Sequence, residues 1–201
     1  MTDWWQDEDF VVDEQAPWAI LDELPALIER KATQKGYPQV RQGVWIAPTA
    51  FVASTAVLLP PCLVMDGATV GEWAYLRGNC IIGNGARVGH AVEVKGSVLM
   101  RGATAAHFNY VGDSVLGAHA HLGAGAVLSN LRLDEGSVKV TWRGERVDSG
   151  RRKLGAIVGA YAQIGCNAVL NPGTVVEPKA WVLPLERVTG YRPKEKGDFR
   201  P

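Results

Sequence analysis

The stretch "GATVGEWAYLRGNCIIGNGARVGHAVEVKGS", residues 67–97, decides the fold, because an aliphatic residue returns in it at every sixth position: Val70, Leu76, Ile82, Val88 and Val94. Read outward, the same beat begins at Ile46 and runs through Val52, Leu58 and Val64. It tightens at Leu99, Ala105, Val111 and Leu116, resumes with Leu122 and Leu128, stops at Asn130, and returns as Val158, Ile164, Leu170, Val176 and Val182. Helices repeat at about 3.6 residues and half-buried strands at about 2, so a six-residue period belongs to neither. Three hexapeptides, each a short strand and a turn, close one triangular coil, and stacked coils bury the aliphatic columns in a continuous core. Glycine commonly follows the aliphatic residue, as in "VGEWAY", "IGNGAR" and "LGAGAV", which suits a bend with no room for a side chain. The spacing predicts an all-β chain, a parallel β-helix of hexapeptide repeats over residues 44–183. The period alone leaves its hand open.

The flanks lack the beat. Residues 1–14 hold six acids and no basic residue, which predicts a mobile or loosely docked lead-in. The segment "DELPALIERK", residues 22–31, offers Asp22 as an N-cap, Pro25 in the first turn and Leu24, Leu27 and Ile28 on one side. That pattern predicts one short amphipathic helix, ended by Gly36 and Pro38, within a linker-like region over residues 1–43. Residues 130–153 interrupt the coil with seven lysines and arginines against four acids, and "VKVTW" and "RVDSG" about "RGE" predict a hairpin arm. Residues 184–201 read as a polar, proline-containing tail in loop conformation.

A chain of 201 residues accommodates one domain with a sizeable core and these appendages. Twenty-one basic residues balance 21 acidic ones, which excludes a long-range electrostatic pull toward nucleic acid or an anionic membrane. Any anionic ligand is then held by local groups. No apolar run reaches bilayer length and the first residues are acidic, so the chain reads as cytoplasmic. Cys62, Cys80 and Cys166 are odd in number and far apart, and read as buried small hydrophobes rather than disulfides.

Departures from the repeat carry the chemical information. They concentrate in Arg77, Glu93, Lys95, His107, Asn109, Tyr110, His121 and Asn130, and residues about eighteen apart fall on neighbouring coils of one face, as Arg77 and Lys95 do. Together they offer cations for a phosphate, a histidine that accepts a proton near neutral pH, and a carboxylate, Glu93, to orient it. The plain alternative is a solvated turn histidine among solvated edge charges, and His90 and His119 stay in that class. Four histidines also raise a shared zinc site of the gamma-class carbonic anhydrase kind, but gaps of 17, 12 and 2 do not match its spacing, and no metal is expected.

The segment from Tyr75 to Asn130, with "EVKGS", "AHFNYVGDS" and "LGAGA", resembles the C-terminal domain of the bifunctional enzymes that acetylate glucosamine-1-phosphate and then uridylylate the product. It is similar to their archaeal and related bacterial branch, whose later motifs are echoed by "KVTWRGERVDSGRRKLGAIVG" and "GCNAVLNPG". The resemblance covers about residues 44–183. It implies a left-handed β-helix of the hexapeptide acyltransferase superfamily and a homotrimer with acetyl-CoA between subunits. It further implies His107 as general base with Glu93 near it, Asn130 beside the acceptor and the acetyl group, Arg77 and Lys95 on the sugar phosphate, and Tyr110 on the phosphate. His121 stands where the family has asparagine, and Ala126 where it has threonine. For acetyl-CoA the resemblance implies Ala124, Gly125 and Ala160, and Arg151 and Arg152 of the basic insertion are candidates for its phosphates. The alternative for that arm is a solvated hairpin packed on a neighbour.

The expected function is therefore acetyl-CoA-dependent N-acetylation of an amino-sugar 1-phosphate, glucosamine-1-phosphate first. No "LAAGxGTRM"-like segment occurs and 43 residues precede the coil, so uridylyl transfer is not expected of this chain, and a separate nucleotidyltransferase is a candidate partner. The second reading is a non-catalytic β-helix that binds a sugar nucleotide or a partner and regulates that separate enzyme.

Overall fold

The computed structural model describes residues 4–195. The hexapeptide beat closes into a parallel β-solenoid with three faces. The first face is a nine-stranded sheet running from Gln39–Arg41 to Tyr191–Arg192, and the second and third are seven-stranded. Only the first pair, Gln39–Arg41 with Val44–Ile46, is antiparallel among these three sheets. The register follows the sequence columns. Val64, Ile82, Leu99, Leu116 and Val158 align on the first face, and Val70, Val88, Ala105 and Leu122 on the second. Leu76, Val94, Val111 and Leu128 align on the third. All of these are buried in one core, together with alanines such as Ala74, Ala86, Ala103 and Ala120 that stand two positions earlier and also point inward.

Two coils are one residue short, since Ile82, Leu99 and Leu116 are in register at steps of seventeen. The missing residue falls at the corner between the third and first faces, where buried Ser97 and Ser114 take over the hydrogen bonding. The Ser97 hydroxyl donates to the Lys95 carbonyl at 2.8 Å and accepts from the Ser114 N–H at 2.9 Å. Ser114 repeats this with the Gly112 carbonyl and the Ala156 N–H at 2.8 and 2.9 Å. A buried polar backbone group left unpaired costs about 1–3 kcal/mol, so a serine at each shortened corner is what the contraction requires.

The first face is apolar on both sides. Leu63, Ile81, Val98, Val115, Ile157 and Val175 point outward from it into a second core built with the helix residues Leu24, Leu27, Ile28 and Ala32. The helix spans Leu24–Lys35 and starts one residue later than the sequence pattern suggests: its N-cap is Glu23, without a side-chain cap, and Asp22 instead pairs with Arg151. Gly36 ends it in the left-handed conformation at φ 66°. The insertion leaves the coil after Asn130, whose carbonyl accepts the N–H of Leu154 at 2.9 Å. Within it, Lys139–Trp142 pairs with Glu145–Asp148 about Arg143 and Gly144, both at positive φ as a tight hairpin turn requires. Val138, Val140 and Trp142 close the second core.

Two expectations are corrected. The acidic lead-in is docked from Trp4 on: the carbonyls of Trp4 and Trp5 accept the N–H groups of Ala160 and Ala118 at 2.7 and 2.8 Å. Asp7 accepts from the Arg101 N–H at 2.6 Å and Asp9 from the Asn84 amide at 2.5 Å, while Trp5 and Phe10 are buried in the second core. Acids there serve as acceptors for coil-corner donors rather than as a solvated tail. The coil also outlasts residue 183, because Arg187–Val188 and Tyr191–Arg192 pair with the preceding coil. Part of the polar tail, residues 196–201, and the first three residues lie outside the described ones. Among the described residues no helix is long and apolar enough to cross a membrane.

If the N-terminal segment is structural, Trp5→Ala should cost about 3–5 kcal/mol, as large-to-small changes at buried aromatic sites do. Denaturant unfolding measures this, and a loss below about 0.5 kcal/mol, the range of surface substitutions, would return the segment to a loosely attached role.

Candidate active site

The corner between the second and third faces is the most heavily decorated part of the solenoid. Six of the seven coils turn there through one residue with positive φ: Trp73 at 61°, Ala91 at 51°, Phe108 at 54°, Gly125 at 72°, Asn167 at 56° and Leu185 at 64°. A bulky side chain in that conformation costs roughly 1–2 kcal/mol, so Trp73 and Phe108 are held there by their surroundings. At the Phe108 corner the restraint is Asn109. Its buried amide donates to the carbonyls of Gly123 and Ala126 at 2.7 and 3.3 Å and accepts the N–H of His107 at 3.1 Å. The His107 carbonyl in turn accepts the Gly125 N–H at 3.0 Å. Asn109 thus stitches one corner to the next and fixes the backbone that carries His107, whose own side chain is exposed.

His107 ends the second-face strand Thr104–His107, level with His90 on the coil before, and lines an open groove with Phe51, Thr69, Glu72, Arg87 and His90. The His90 ring meets Phe108 edge-on at 5.2 Å. His121 lies half-buried one coil on, level with Thr104 at the start of that strand. Burial first, and repulsion from His107 second, hold the His121 imidazole below its ordinary pKa. His121 is therefore neutral near pH 7.

On the third face the polar side chains run from Glu93 and Tyr110, next to this corner, to Arg77, Lys95, Asp113 and Asn130 at the far end of the strands. Arg77 donates to Glu93 at 2.7 Å, in a pair exposed on both sides. Lys95 Nζ is held by both oxygens of Asp113, at 2.9 and 2.8 Å, and the same carboxylate accepts the Asn130 amide at 2.5 Å. Tyr110 lies level with Glu93, and its hydroxyl and the Asn130 amide converge over Gly112, where a Cβ would stand 2.7 and 2.8 Å from them. Burial first, then Glu93 and Asp113, push the Tyr110 hydroxyl up from its ordinary pKa, keeping it a neutral donor.

Arg77, Glu93, Lys95, Tyr110 and Asn130 therefore lie along one face, with Ala124 and Gly125 at the corner beside His107 and His121 at the start of its second-face strand, level with Thr104. Three other placements differ from expectation. Glu93 pairs with Arg77, reaching diagonally across one coil, and the groups that share the groove with His107 are His90, Arg87 and Glu72. Ala160 is buried at the corner between the first and second faces, with its N–H taken by the Trp4 carbonyl. Arg151 and Arg152 sit in the insertion, paired with Asp22 and Glu135, and within one chain they do not join the cluster. Asp113 is the residue that sequence reading missed. It stands eighteen residues after Lys95, the step that relates Lys95 to Arg77, but "VGDS" reads as an ordinary turn. Among the described residues no group of three or more His, Cys, Asp and Glu side chains is placed to hold a metal ion.

The family model described as the GMPPB C-terminal domain matches residues 58–180, more than half of the chain. This protein belongs to the GMPPB C-terminal domain family. It is similar to the bifunctional sugar-1-phosphate nucleotidylyltransferase/acetyltransferase of Sulfurisphaera tokodaii, at 33% identity over 92% of this chain and 48% of that protein. It is also similar to the bifunctional protein GlmU of Methanocaldococcus jannaschii, at 34% identity over 56% of this chain and 27% of that protein. The chain thus spans about half or less of the length of these relatives. Among solved structures, the acetyltransferase domain of PglB from Neisseria gonorrhoeae in complex with acetyl coenzyme A aligns over 88% of this chain and 70% of that one, at 17% identity and a TM-score of 0.28.

Two outcomes follow for this family member's corner. Asn109→Ala strands the His107 N–H and should cost about 1–3 kcal/mol in a denaturant melt; an unchanged midpoint would remove Asn109 from the account. Because the folded-state pKa of His121 lies below its unfolded value, the unfolded chain takes up the proton first as pH falls, and stability drops below about pH 6.5. His121→Asn should flatten that fall in Tm, and an identical pH slope in the variant would contradict the assignment.

Proposed function

We propose that this chain is an acetyl-CoA-dependent N-acetyltransferase acting on an amino-sugar 1-phosphate, with glucosamine-1-phosphate the leading acceptor. The observation that carries this reading is the placement of Arg77, Lys95, Tyr110 and Asn130 along one face that starts at the corner fixing His107. The similarity to bifunctional nucleotidylyltransferase/acetyltransferase proteins supports the reaction class.

A sugar ammonium must lose a proton before its nitrogen can attack a carbonyl carbon. His107, exposed on a corner whose backbone Asn109 holds, takes that proton, a contribution of about a hundred- to ten-thousand-fold. Acetyl-CoA supplies the thioester under attack, and direct transfer leaves no acetyl group on the enzyme. Arg77 and the Tyr110 hydroxyl meet the phosphate by charge-assisted and neutral hydrogen bonds, with Lys95 behind them. The exposed Arg77–Glu93 pair is worth at most about 1 kcal/mol, so a phosphate exchanges for Glu93 at little cost.

The same reading takes the solenoid as a left-handed homotrimer in the cytoplasm, with acetyl-CoA lying between neighbouring subunits. In support, the first face is covered by the chain's own second core, whereas the second and third faces and their shared corner expose Phe51, Trp73, Tyr75, Phe108 and Trp181. Apolar surface of that extent on a soluble chain marks an interaction site. In a trimer, Ala124, Gly125 and the basic insertion with Arg151 and Arg152 become the surfaces a neighbour could bring to acetyl-CoA.

Release of free coenzyme A from acetyl-CoA should depend on glucosamine-1-phosphate, with galactosamine-1-phosphate and no acceptor run beside it. His107→Ala should lower turnover at least about a hundredfold while the melting temperature holds. No release with any acceptor from a well-folded assembly would replace this reading with that of a non-catalytic binding module.

A further inference from the structure

Asp113 is the buried hub of the third-face cluster, and its chemistry constrains its neighbours. The residue is 6% exposed and sits at a coil corner in the left-handed region, at φ 44°. Its side chain folds back over Gly96 of the preceding coil, where a Cβ would lie 2.5 Å from Oδ1, so glycine at 96 makes the room. The backbone is tied on both sides: its N–H donates to the Lys95 carbonyl at 2.7 Å and its carbonyl accepts the Gly155 N–H at 2.8 Å. The carboxylate therefore has little freedom. It links Lys95 on the coil before to Asn130 on the coil after.

An ionised carboxylate only accepts hydrogen bonds, so the end of the Asn130 side chain turned toward Asp113 must be its NH2 group. That same nitrogen lies against the Tyr110 hydroxyl above Gly112. One amide hydrogen is then directed to Asp113, and the nitrogen shares the space over Gly112 with the Tyr110 hydroxyl. The Asn130 Oδ1 is left over, accepting no hydrogen bond among the described residues.

We infer that Asp113 is a positioning residue that fixes Lys95 and orients the Asn130 amide, so that Asn130 offers its carbonyl oxygen to the acceptor's amine and donates nothing to the developing oxyanion. The inference rests on the proposed acetyl transfer and sharpens it. Lys95, neutralised by Asp113, acts as a fixed post and not as a free cation, which leaves Arg77 as the exchangeable charge. The oxyanion donor falls to a backbone N–H at the corner.

The test compares binding of glucosamine-1-phosphate and 2-deoxyglucose-1-phosphate, which has no hydrogen-bond donor at C2, by calorimetry without acetyl-CoA. The wild type should prefer the amino sugar by roughly three- to tenfold, the worth of one hydrogen bond. Asp113→Asn should abolish that preference and weaken both sugars, and Asn130→Leu should abolish the preference. Retained preference in both variants would overturn the inference. The side-chain amide proton resonances of Asn130, read in isotope-labelled protein without any ligand, give an independent arm. A shifted, slowly exchanging proton that is lost in Asp113→Asn supports the orientation, and a freely exchanging pair in the wild type overturns it. If neither sugar binds the wild type, the acetyltransferase reading fails while the amide protons still decide the role of Asp113. Should Asp113→Asn not fold, Asn130→Leu and the wild-type resonances decide it between them.

Discussion

Every coil must turn three corners without leaving a backbone donor or acceptor buried and unpaired. That constraint shapes the rest of the molecule. Where the corner is open, glycine or a strained residue suffices; where it is closed, a small polar side chain has to complete the ladder, as Ser97, Ser114 and Asn109 do. Each such residue also sets the orientation of the next coil, so the polar atoms that satisfy the fold are the ones that aim His107, Lys95 and Asn130. Structure and candidate chemistry share the same corner hydrogen bonds.

The core was legible in the sequence because an inward column needs one residue type at one spacing, and Val70, Leu76 and Ile82 supply it without interruption. The docking of residues 4–12 was not, because it depends on main-chain carbonyls of Trp4 and Trp5, which leave no mark in a sequence, and on acids that read as solvated. Trp4, Trp5 and Phe10 were the overlooked signal, since large apolar side chains are out of place in a solvated acidic tail. The late start of the helix has a simpler cause: Asp22 finds a better partner in Arg151 than in the helix N-terminus.

For the candidate site, the step of eighteen relates Arg77 to Lys95, and the coil register sets Tyr110 on the same face with Asn130 just past its next strand. Pairings within that face were beyond the reach of spacing. Glu93 has two polar neighbours within one coil, and the diagonal to Arg77 wins over the path around the corner to His107. Asp113 was hidden by its resemblance to a turn residue, although burial turns it into the group with the most hydrogen bonds in the cluster. The His107 groove also carries His90, Arg87 and Glu72, while His121, on the coil after, is held neutral near pH 7 by burial.

The central claim is that the third-face cluster holds the acceptor's phosphate while its amine reaches His107. A crystal structure of the assembly with glucosamine-1-phosphate and coenzyme A tests it most directly. The account predicts the phosphate on Arg77 and Tyr110, with Glu93 displaced, and the amine within hydrogen-bond reach of both His107 and the Asn130 carbonyl oxygen. A sugar phosphate bound elsewhere, with the Arg77–Glu93 pair intact and His107 facing solvent, would contradict it.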